Sequence, residues 1–134
     1  MPEKLLLDTG IVSAFLKQAE PHHARRQAIE SRIKGNIGLI SFITVAELYY
    51  WAEKYGWGPR RQDLDSRIKN YLVLDPTRDT AEIWAKTKRS CEMRGSVMRA
   101  HDLWIASSAL EHDFTLLTTD RDFSGIPQLK HEKF

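Results

Sequence analysis

Apolar runs of three to five residues alternate with longer amphipathic stretches along the chain. The runs predict short strands at residues 5–7, 37–41, 71–74, 115–118 and 128–130. Apolar residues at helical spacing predict helices at residues 10–19, 21–33, 44–55, from 59 onward, 77–94 and 101–112. Strands that alternate with helices form parallel sheets, because each helix carries the chain back to the start of the next strand. The pattern predicts an α/β fold with a parallel sheet of four to five short strands.

Prolines mark the start of two of these helices. Pro21 and Pro59 stand at first helical positions, where the missing N–H of proline costs no hydrogen bond. The helix that Pro59 opens has an apolar stripe of Leu64, Ile68 and Leu72. No internal repeat, low-complexity segment or linker interrupts the order, so we predict one domain over residues 1–134.

Composition excludes several classes of protein. The 134 residues carry a net charge of +2 with both signs mixed, which permits a nucleic-acid partner without arguing for one. Cys91 is the only cysteine, which excludes a disulfide framework and a site built of several thiolates. The N-terminal apolar run is three leucines long, too short for a signal peptide or a membrane span. We therefore predict a cytoplasmic protein that does not associate with a membrane.

Four acidic residues stand where an unpaired carboxylate would be costly. They lie within or beside apolar runs, and moving a carboxylate out of water is unfavourable unless a cation meets it. The four are Asp8, Glu47, Asp102 and Asp120. One shared cation accounts for all of them, and ligands that are all oxygens favour a hard divalent ion.

Fold rules and helical phase suggest that these four acids converge. Asp8 and Asp120 each follow a predicted strand, and the carboxyl ends of parallel strands meet at one edge of the sheet. Asp102 shares its helical face with Ile105, Ala106 and Ala109, whereas Glu111 falls on the polar side. Glu47 has the apolar helical neighbours Ile43, Tyr50 and Trp51. Both helical acids are therefore predicted to point inward.

Each acid also has a purely structural interpretation. Asp102 favours a helix N-terminus, Asp120 could cap a turn through residues 121–123, Asp8 suits a strand end, and Glu47 could lie on the surface. Carboxylates that do converge would repel one another, by about 4 kcal/mol for two charges ~4 Å apart at an effective dielectric of ~20. We therefore expect raised carboxyl pKa values in the metal-free protein.

Four short motifs, in this order and spacing, resemble the PIN domain family, and most closely its VapC-type toxins. The motifs are Leu6-Leu7-Asp8-Thr9, Thr44-Val45-Ala46-Glu47-Leu48, Asp102-Leu103-Trp104-Ile105-Ala106 and Leu117-Thr118-Thr119-Asp120-Arg121-Asp122-Phe123. The resemblance covers essentially the whole chain. It implies an α/β/α sandwich and a Mg²⁺- or Mn²⁺-dependent endoribonuclease.

The resemblance also implies roles for particular residues and partners. Asp8, Glu47, Asp102 and Asp120 would be the catalytic, metal-binding acids, supported by Thr9, Thr119 and Asp122. A metal-activated water would hydrolyse a phosphodiester of transfer or ribosomal RNA. The protein would form a homodimer, and a cognate antitoxin would hold it inactive.

Basic and aromatic residues near these motifs have two interpretations each. Arg99 and Arg121 are candidate RNA phosphate contacts, although a local salt bridge is the favoured interpretation for both. The aromatic run at residues 49–51, followed by Trp57, could form core and a protein interface or could stack on RNA bases. The protein interface is favoured, because the run shares its helix with Glu47.

Three other functions remain open. The chain could be a PIN-like nuclease that processes RNA or DNA without an antitoxin, or a non-catalytic nucleic-acid-binding module. The complete set of four acids argues against the binding module. A phosphate-transfer regulator would use an acid after a central strand, such as Asp75, but Pro76 and the lack of a suitably placed lysine argue against it.

Overall fold

Five parallel strands form one sheet in the computed structural model, which describes residues 1–16 and 23–134. The strands are β1 (Lys4–Leu7), β2 (Ile37–Ser41), β3 (Leu72–Leu74), β4 (Thr115–Thr118) and β5 (His131–Lys133). Their order across the sheet is β3-β2-β1-β4-β5, and all four pairings are parallel. The predicted α/β class, with a central parallel sheet of four to five strands, is confirmed.

Helices connect the strands on both faces of the sheet. They are α1 (Thr9–Leu16), α2 (His23–Ile33), α3 (Phe42–Tyr55), α4 (Pro59–Ile68), α5 (Arg78–Met93) and α6 (Ala100–His112), followed by a 3-10 turn at Asp122–Gly125. The predicted end of the first helix at residue 19 and the start of the second at Pro21 lie outside the described residues. No described helix is long and apolar enough to cross a membrane.

The hydrophobic core lies in two layers, one on each face of the sheet. Leu5 and Leu7 of β1 belong to the layer that contains α1–α4, whereas Leu6 belongs to the layer with α6. All three leucines are fully buried. A central parallel strand covered on both faces reads as a continuous apolar run, which explains its sequence. The arrangement is the α/β/α sandwich that the resemblance implied.

Three details of the sequence interpretation are wrong. The fifth strand is His131–Lys133 instead of residues 128–130, because a polar edge strand gives no apolar signal. Leu72 belongs to β3 and is 62% exposed, since α4 ends at Ile68 before reaching it. Glu111 is mostly buried and accepts hydrogen bonds from the Thr77 and Thr80 hydroxyls at the start of α5.

Two caps bring helices to the carboxyl edge of the sheet. Ser41 ends β2, and its hydroxyl accepts the Ile43 N–H, so α3 begins two residues earlier than predicted. Asp8 follows β1, and its carboxylate accepts the Ile11 N–H at 3.0 Å in the first turn of α1. Both helices therefore begin beside the ends of the central strands, where the predicted acids lie.

Candidate functional site

A pocket of about 580 Å³ opens at the carboxyl edge of the sheet. All four predicted acids line it. Its full lining is Asp8, Thr9, Gly10, Glu47, Trp51, Arg99, Ala100, His101, Asp102, Thr119 and Asp120. The structure therefore brings together carboxylates that lie up to 112 positions apart in the chain.

Asp8 is the most deeply buried of these acids, with 5% of its surface exposed. Burial raises the pKa of Asp8 from 3.8 to about 6, and the negative charges of Asp102 and Asp120 add to the rise. The hydrogen bonds from the Thr118 hydroxyl and the Ile11 N–H oppose that rise. The carboxylate is therefore held in place by the fold while its charge lacks a full counterion.

Thr118 is the supporting residue that the sequence analysis missed. Its hydroxyl donates to Asp8 Oδ2 and accepts the Asp120 N–H at 2.9 Å, so it joins two of the acids. Thr119, which was predicted for this part, lies in the pocket wall, and its Oγ1 closely approaches Gly10. The strand pattern could have indicated Thr118, because it places this threonine at the end of a buried strand. A fully buried threonine needs a polar partner.

Thr9 contacts Glu47, the acid on α3. The Thr9 hydroxyl donates to Glu47 Oε1 at 2.9 Å and lies 3.1 Å from the Thr44 hydroxyl. Glu47 Oε2 lies 3.7 Å from His101 Nδ1 on α6. The structure thus places Thr9 as predicted beside a candidate acid, and Glu47 points into the pocket instead of onto the surface.

Asp102, Asp120 and Asp122 present carboxylate oxygens within 4.8 Å of one another. Asp102 heads the apolar face of α6, as predicted, and Ile105, Ala106 and Ala109 on that face are buried. Burial raises the pKa of Asp102, Arg99 lowers it, and Asp120 and Glu47 raise it.

Asp122, which was expected only as a supporting residue, is part of this carboxylate cluster. Its N–H donates to Asp120 Oδ1 at 2.9 Å, so Asp120 also holds the turn that follows it. The structural and the chemical interpretations of Asp120 are therefore both compatible with the structure.

Arg99 is a cationic side chain that contacts two of these acids. Its guanidinium donates to Asp102 Oδ2 and to Asp120 Oδ2, both at 3.2 Å, while 75% of its side chain stays exposed. The favoured interpretation of Arg99 as a local salt bridge is confirmed. Arg121 is exposed and is absent from the pocket lining formed by residues 1–16 and 23–134.

This donor set suits a hard divalent cation. Carboxylate oxygens from four regions of the chain face one pocket that is open to water, and Mg²⁺ keeps several waters beside one or two carboxylates. Burial raises the pKa values of Asp8 and Asp102, and the neighbouring carboxylates add to both rises. A bound cation would favour the charged forms of both acids.

Comparison with known proteins finds the family that the sequence motifs resemble. The PIN domain family model matches residues 5–129. Ribonuclease VapC2 of Haemophilus influenzae is 31% identical over 138 residues, which cover 98% of each chain. VapC ribonuclease Y4jK of Sinorhizobium fredii is 31% identical over 127 residues, covering 87% of this chain and 86% of that protein.

Solved structures agree with the sequence comparison. VapBC-1 from nontypeable Haemophilus influenzae has a TM-score of 0.80 at 25% identity over 97% of each chain. DNA-bound VapBC from Salmonella typhimurium has a TM-score of 0.81 at 25% identity over 98% of each chain. Family model, relatives and fold coincide, and this chain belongs to the PIN domain family.

Proposed function

We propose that this protein is an endoribonuclease and the toxin of a toxin–antitoxin pair. The observation that carries the proposal is the convergence of Asp8, Glu47, Asp102 and Asp120 in one pocket. Whole-length similarity to ribonucleases named VapC supports the substrate class. Neighbouring structures named as VapBC complexes support a protein antitoxin as the partner.

We further propose that the acids hold Mg²⁺ or Mn²⁺. Asp8, Asp102 and Asp120 are the expected ligands, with Glu47 as a fourth ligand or as the group that orients the attacking water. When bound, the ion would supply charge neutralisation at the scissile phosphate and a water of lowered pKa. Thr118 fixes Asp8 and Asp120, and Thr9 fixes one oxygen of Glu47, whose other oxygen lies 3.7 Å from His101 Nδ1 in the pocket wall.

The chemistry of the products follows from the nucleophile. If water attacks the phosphorus in line, the 3′ oxygen leaves and the ribose 2′-OH takes no part. The products then carry 5′-phosphate and 3′-hydroxyl ends. Products with a 2′,3′-cyclic phosphate would contradict this mechanism, because they require the 2′-OH as the nucleophile.

The remaining assignments are proposals of the same kind. We propose transfer or ribosomal RNA as the substrate, a homodimer as the assembly, and one PIN-like domain over residues 1–134. The coverage of relatives at 98% of each chain supports the single domain. A location in the cytoplasm, where these RNAs occur, stays a prediction.

Cleavage of a mixed pool of transfer and ribosomal RNA tests the proposed activity. The purified protein would be compared in Mg²⁺, in Mn²⁺ and in EDTA, with mapping of the product ends. Asp8→Asn should abolish the cuts, whereas Asp63→Asn, which changes an exposed acid on α4 outside the pocket, should keep them. Cuts that persist in EDTA or in Asp8→Asn would reject the proposal.

Expression in a host cell tests the proposed partner. Growth arrest that Asp8→Asn abolishes, and that co-expression of a neighbouring gene reverses, would support a toxin with an antitoxin. Cleavage in vitro without any effect on growth would favour the alternative of an RNA-processing nuclease without an antitoxin. A folded protein that binds RNA and never cuts it would favour the binding module.

A further inference from the structure

Trp51 is an aromatic ring in the wall of an otherwise polar pocket. The other described lining residues are acids, hydroxyl-bearing residues, an arginine, a histidine, Gly10 and Ala100. Carboxylates and a metal can handle a phosphate, but they give no favourable surface to a nucleobase. The proposed metal chemistry therefore gives the indole no role.

The helix places Trp51 beside the reacting groups. Trp51 follows Glu47 by four residues on α3, so the two side chains lie on the same face, one turn apart. The ring is half-buried and packs against the core layer that contains Leu48. Packing on one side and the pocket on the other leave a rigid apolar surface open to a ligand.

Other tryptophans of the chain already have partners for their rings. Trp84 and Trp104 stack on each other with ring centroids 5.1 Å apart, and Trp57 lies 5.2 Å from the Arg60 guanidinium. Within the described ranges, 1–16 and 23–134, no aromatic or cationic side chain pairs with the Trp51 ring. The ring reaches the pocket without such a partner.

We propose that Trp51 forms a base-stacking subsite for a nucleotide next to the scissile phosphate. This inference rests on the proposed nuclease function and specifies how that site holds single-stranded RNA. Every base has a π-face, so stacking on an indole holds a nucleotide with little regard to its sequence. The stacked base must leave its neighbours, which favours loops and single strands over duplex RNA.

Matched variants separate stacking from folding. Trp51→Leu removes the aromatic face and keeps apolar volume, and Trp51→Phe keeps a smaller aromatic face. Trp57→Leu is the control, because Trp57 is also half-buried and packs against the same core layer but does not line the pocket. Circular dichroism and a melting curve would verify that all three variants fold.

A binding measurement tests the subsite without turnover. The Asp102→Asn protein would be titrated with single-stranded RNA that contains the fluorescent base 2-aminopurine. We expect quenching on binding, and we expect Trp51→Leu in the same background to weaken binding roughly 5- to 150-fold, the range for loss of one stacked base. Trp51→Phe should retain most of the binding, and Trp57→Leu should retain all of it.

A cleavage measurement locates the stacked base. The wild-type protein would be assayed on an RNA oligonucleotide that spans a mapped cut, and on copies with one abasic nucleotide beside the cut. We expect one abasic position to raise KM for the wild type, and to have no further effect in Trp51→Leu, which has already lost that contact. The turnover number kcat should change less than KM.

Failure of the subsite and failure of the nuclease function can be distinguished. If Trp51→Leu binds RNA and responds to abasic positions as the wild type does, the subsite is rejected and the nuclease stands. If quenching depends on Trp51 while the wild type never cuts RNA, the nuclease function is rejected, and only the stacking of a base on Trp51 stands. If Trp51→Leu loses only binding of the antitoxin, the ring contacts protein and the subsite is rejected.

Discussion

Burial is the main reason why the carboxylate of Asp8 favours a nearby cation. Its side chain is almost completely removed from water, and its pKa rises to about 6. Between 3.8, its ordinary value, and about 6, the folded protein binds more protons at this site than the unfolded chain does. The free energy of unfolding therefore falls as the pH rises through that window.

Asp8→Asn should stabilise the metal-free protein at neutral pH. The substitution removes the buried negative charge and keeps one oxygen for the Ile11 N–H, while the new amide N–H can donate to the Thr118 hydroxyl oxygen. We expect a gain of about 1–3 kcal/mol at pH 7.5 and little gain at pH 4, where the aspartate is already mostly protonated. Urea denaturation in EDTA measures both values. An equal gain at both pH values would show that packing, and not the charge, is responsible.

Thr118→Val should weaken the site more than Thr119→Val. Losing the hydroxyl leaves the buried Asp8 Oδ2 and the partly buried Asp120 N–H without their partner, at a cost of about 1–3 kcal/mol in unfolding free energy. The pKa of Asp8 should rise further, so Mn²⁺ binding should weaken when measured by calorimetry. Thr119→Val is the control of equal size, and a larger loss there would contradict the assignment.

At the scale of the element, the first turn of α1 fits the pocket because residue 10 has no side chain. A Cβ at Gly10 would lie 2.2 Å from Thr119 Oγ1 and 3.4 Å from Asp8 Oδ1. The helix N-terminus and the end of β4 can approach each other only at a glycine. This close approach brings Thr9 on α1 and Thr119 after β4 into one pocket wall.

Gly10→Ala should therefore lower RNA cleavage, because the new methyl group forces Thr119 or the helix to shift. Thr119→Ala removes the clashing oxygen, so we expect the double variant to cleave better than Gly10→Ala. Alanine also favours helix over glycine by up to about 1 kcal/mol, and the double variant should melt above Thr119→Ala alone. Melting curves and cleavage rates of the three variants check this, and an unimpaired Gly10→Ala would reject the close fit.

At the N-terminus of α6, Asp102 forms an ion pair with Arg99. Arg99, which precedes the helix, donates to both Asp102 and Asp120, and its charge lowers the pKa of Asp102 against the effect of burial. A divalent ion that binds these two carboxylates competes with the guanidinium. The same arginine could approach RNA once it is displaced, since most of its side chain is exposed.

Arg99→Gln should strengthen Mn²⁺ binding to the free protein. Two exposed ion pairs worth roughly 0.2–1 kcal/mol each are removed, so we expect about 2- to 30-fold tighter binding in calorimetry. Arg121→Gln, an exposed arginine outside the pocket lining, is the control. Weaker Mn²⁺ binding by Arg99→Gln would show that the arginine organises the acids instead of competing for them.

At the scale of the whole molecule, Arg32 of α2 forms ion pairs with residues near both ends of the chain. Arg32 of α2 binds Glu132 of β5 through Nε at 2.7 Å and Nη2 at 2.8 Å, and it binds Glu3 ahead of β1 at 3.0 Å. The hydrogen bonds from Arg32 lower the pKa of Glu132. A short polar edge strand such as β5 has little apolar surface to hold it, so this contact secures its register.

Arg32→Met should destabilise the fold in a pH-dependent way. Because the pKa of Glu132 is lowered in the folded state, its contribution is present above pH 4.5 and is lost as the pH falls. We expect a loss of about 1 kcal/mol at pH 7 and less at pH 3, allowing for the partial exposure of both partners. Arg89→Met, which breaks a more exposed pair on α5, should cost less. Denaturation at the two pH values measures the difference.

Local sequence determined much of this protein. The alternation of strands and helices, the burial of Leu5–Leu7 and the helical faces of Asp102 and Glu47 follow from periodicity, which each segment carries in itself. The meeting of Asp8 and Asp120 at one edge follows from the direction of parallel strands, whatever their order. The sequence alone therefore predicts the four acids of the site.

Only the tertiary structure decided which neighbours those acids have. The strand order depends on contacts between distant segments, and so does the support of Asp8 by Thr118, where Thr119 was predicted. The ion pairs of Arg99 and the place of Trp51 in the pocket wall depend on such contacts as well. Asp8 and Thr118 are 110 positions apart, and no periodicity links them. A pattern fixes the face on which a residue lies, whereas packing fixes the residue that it meets.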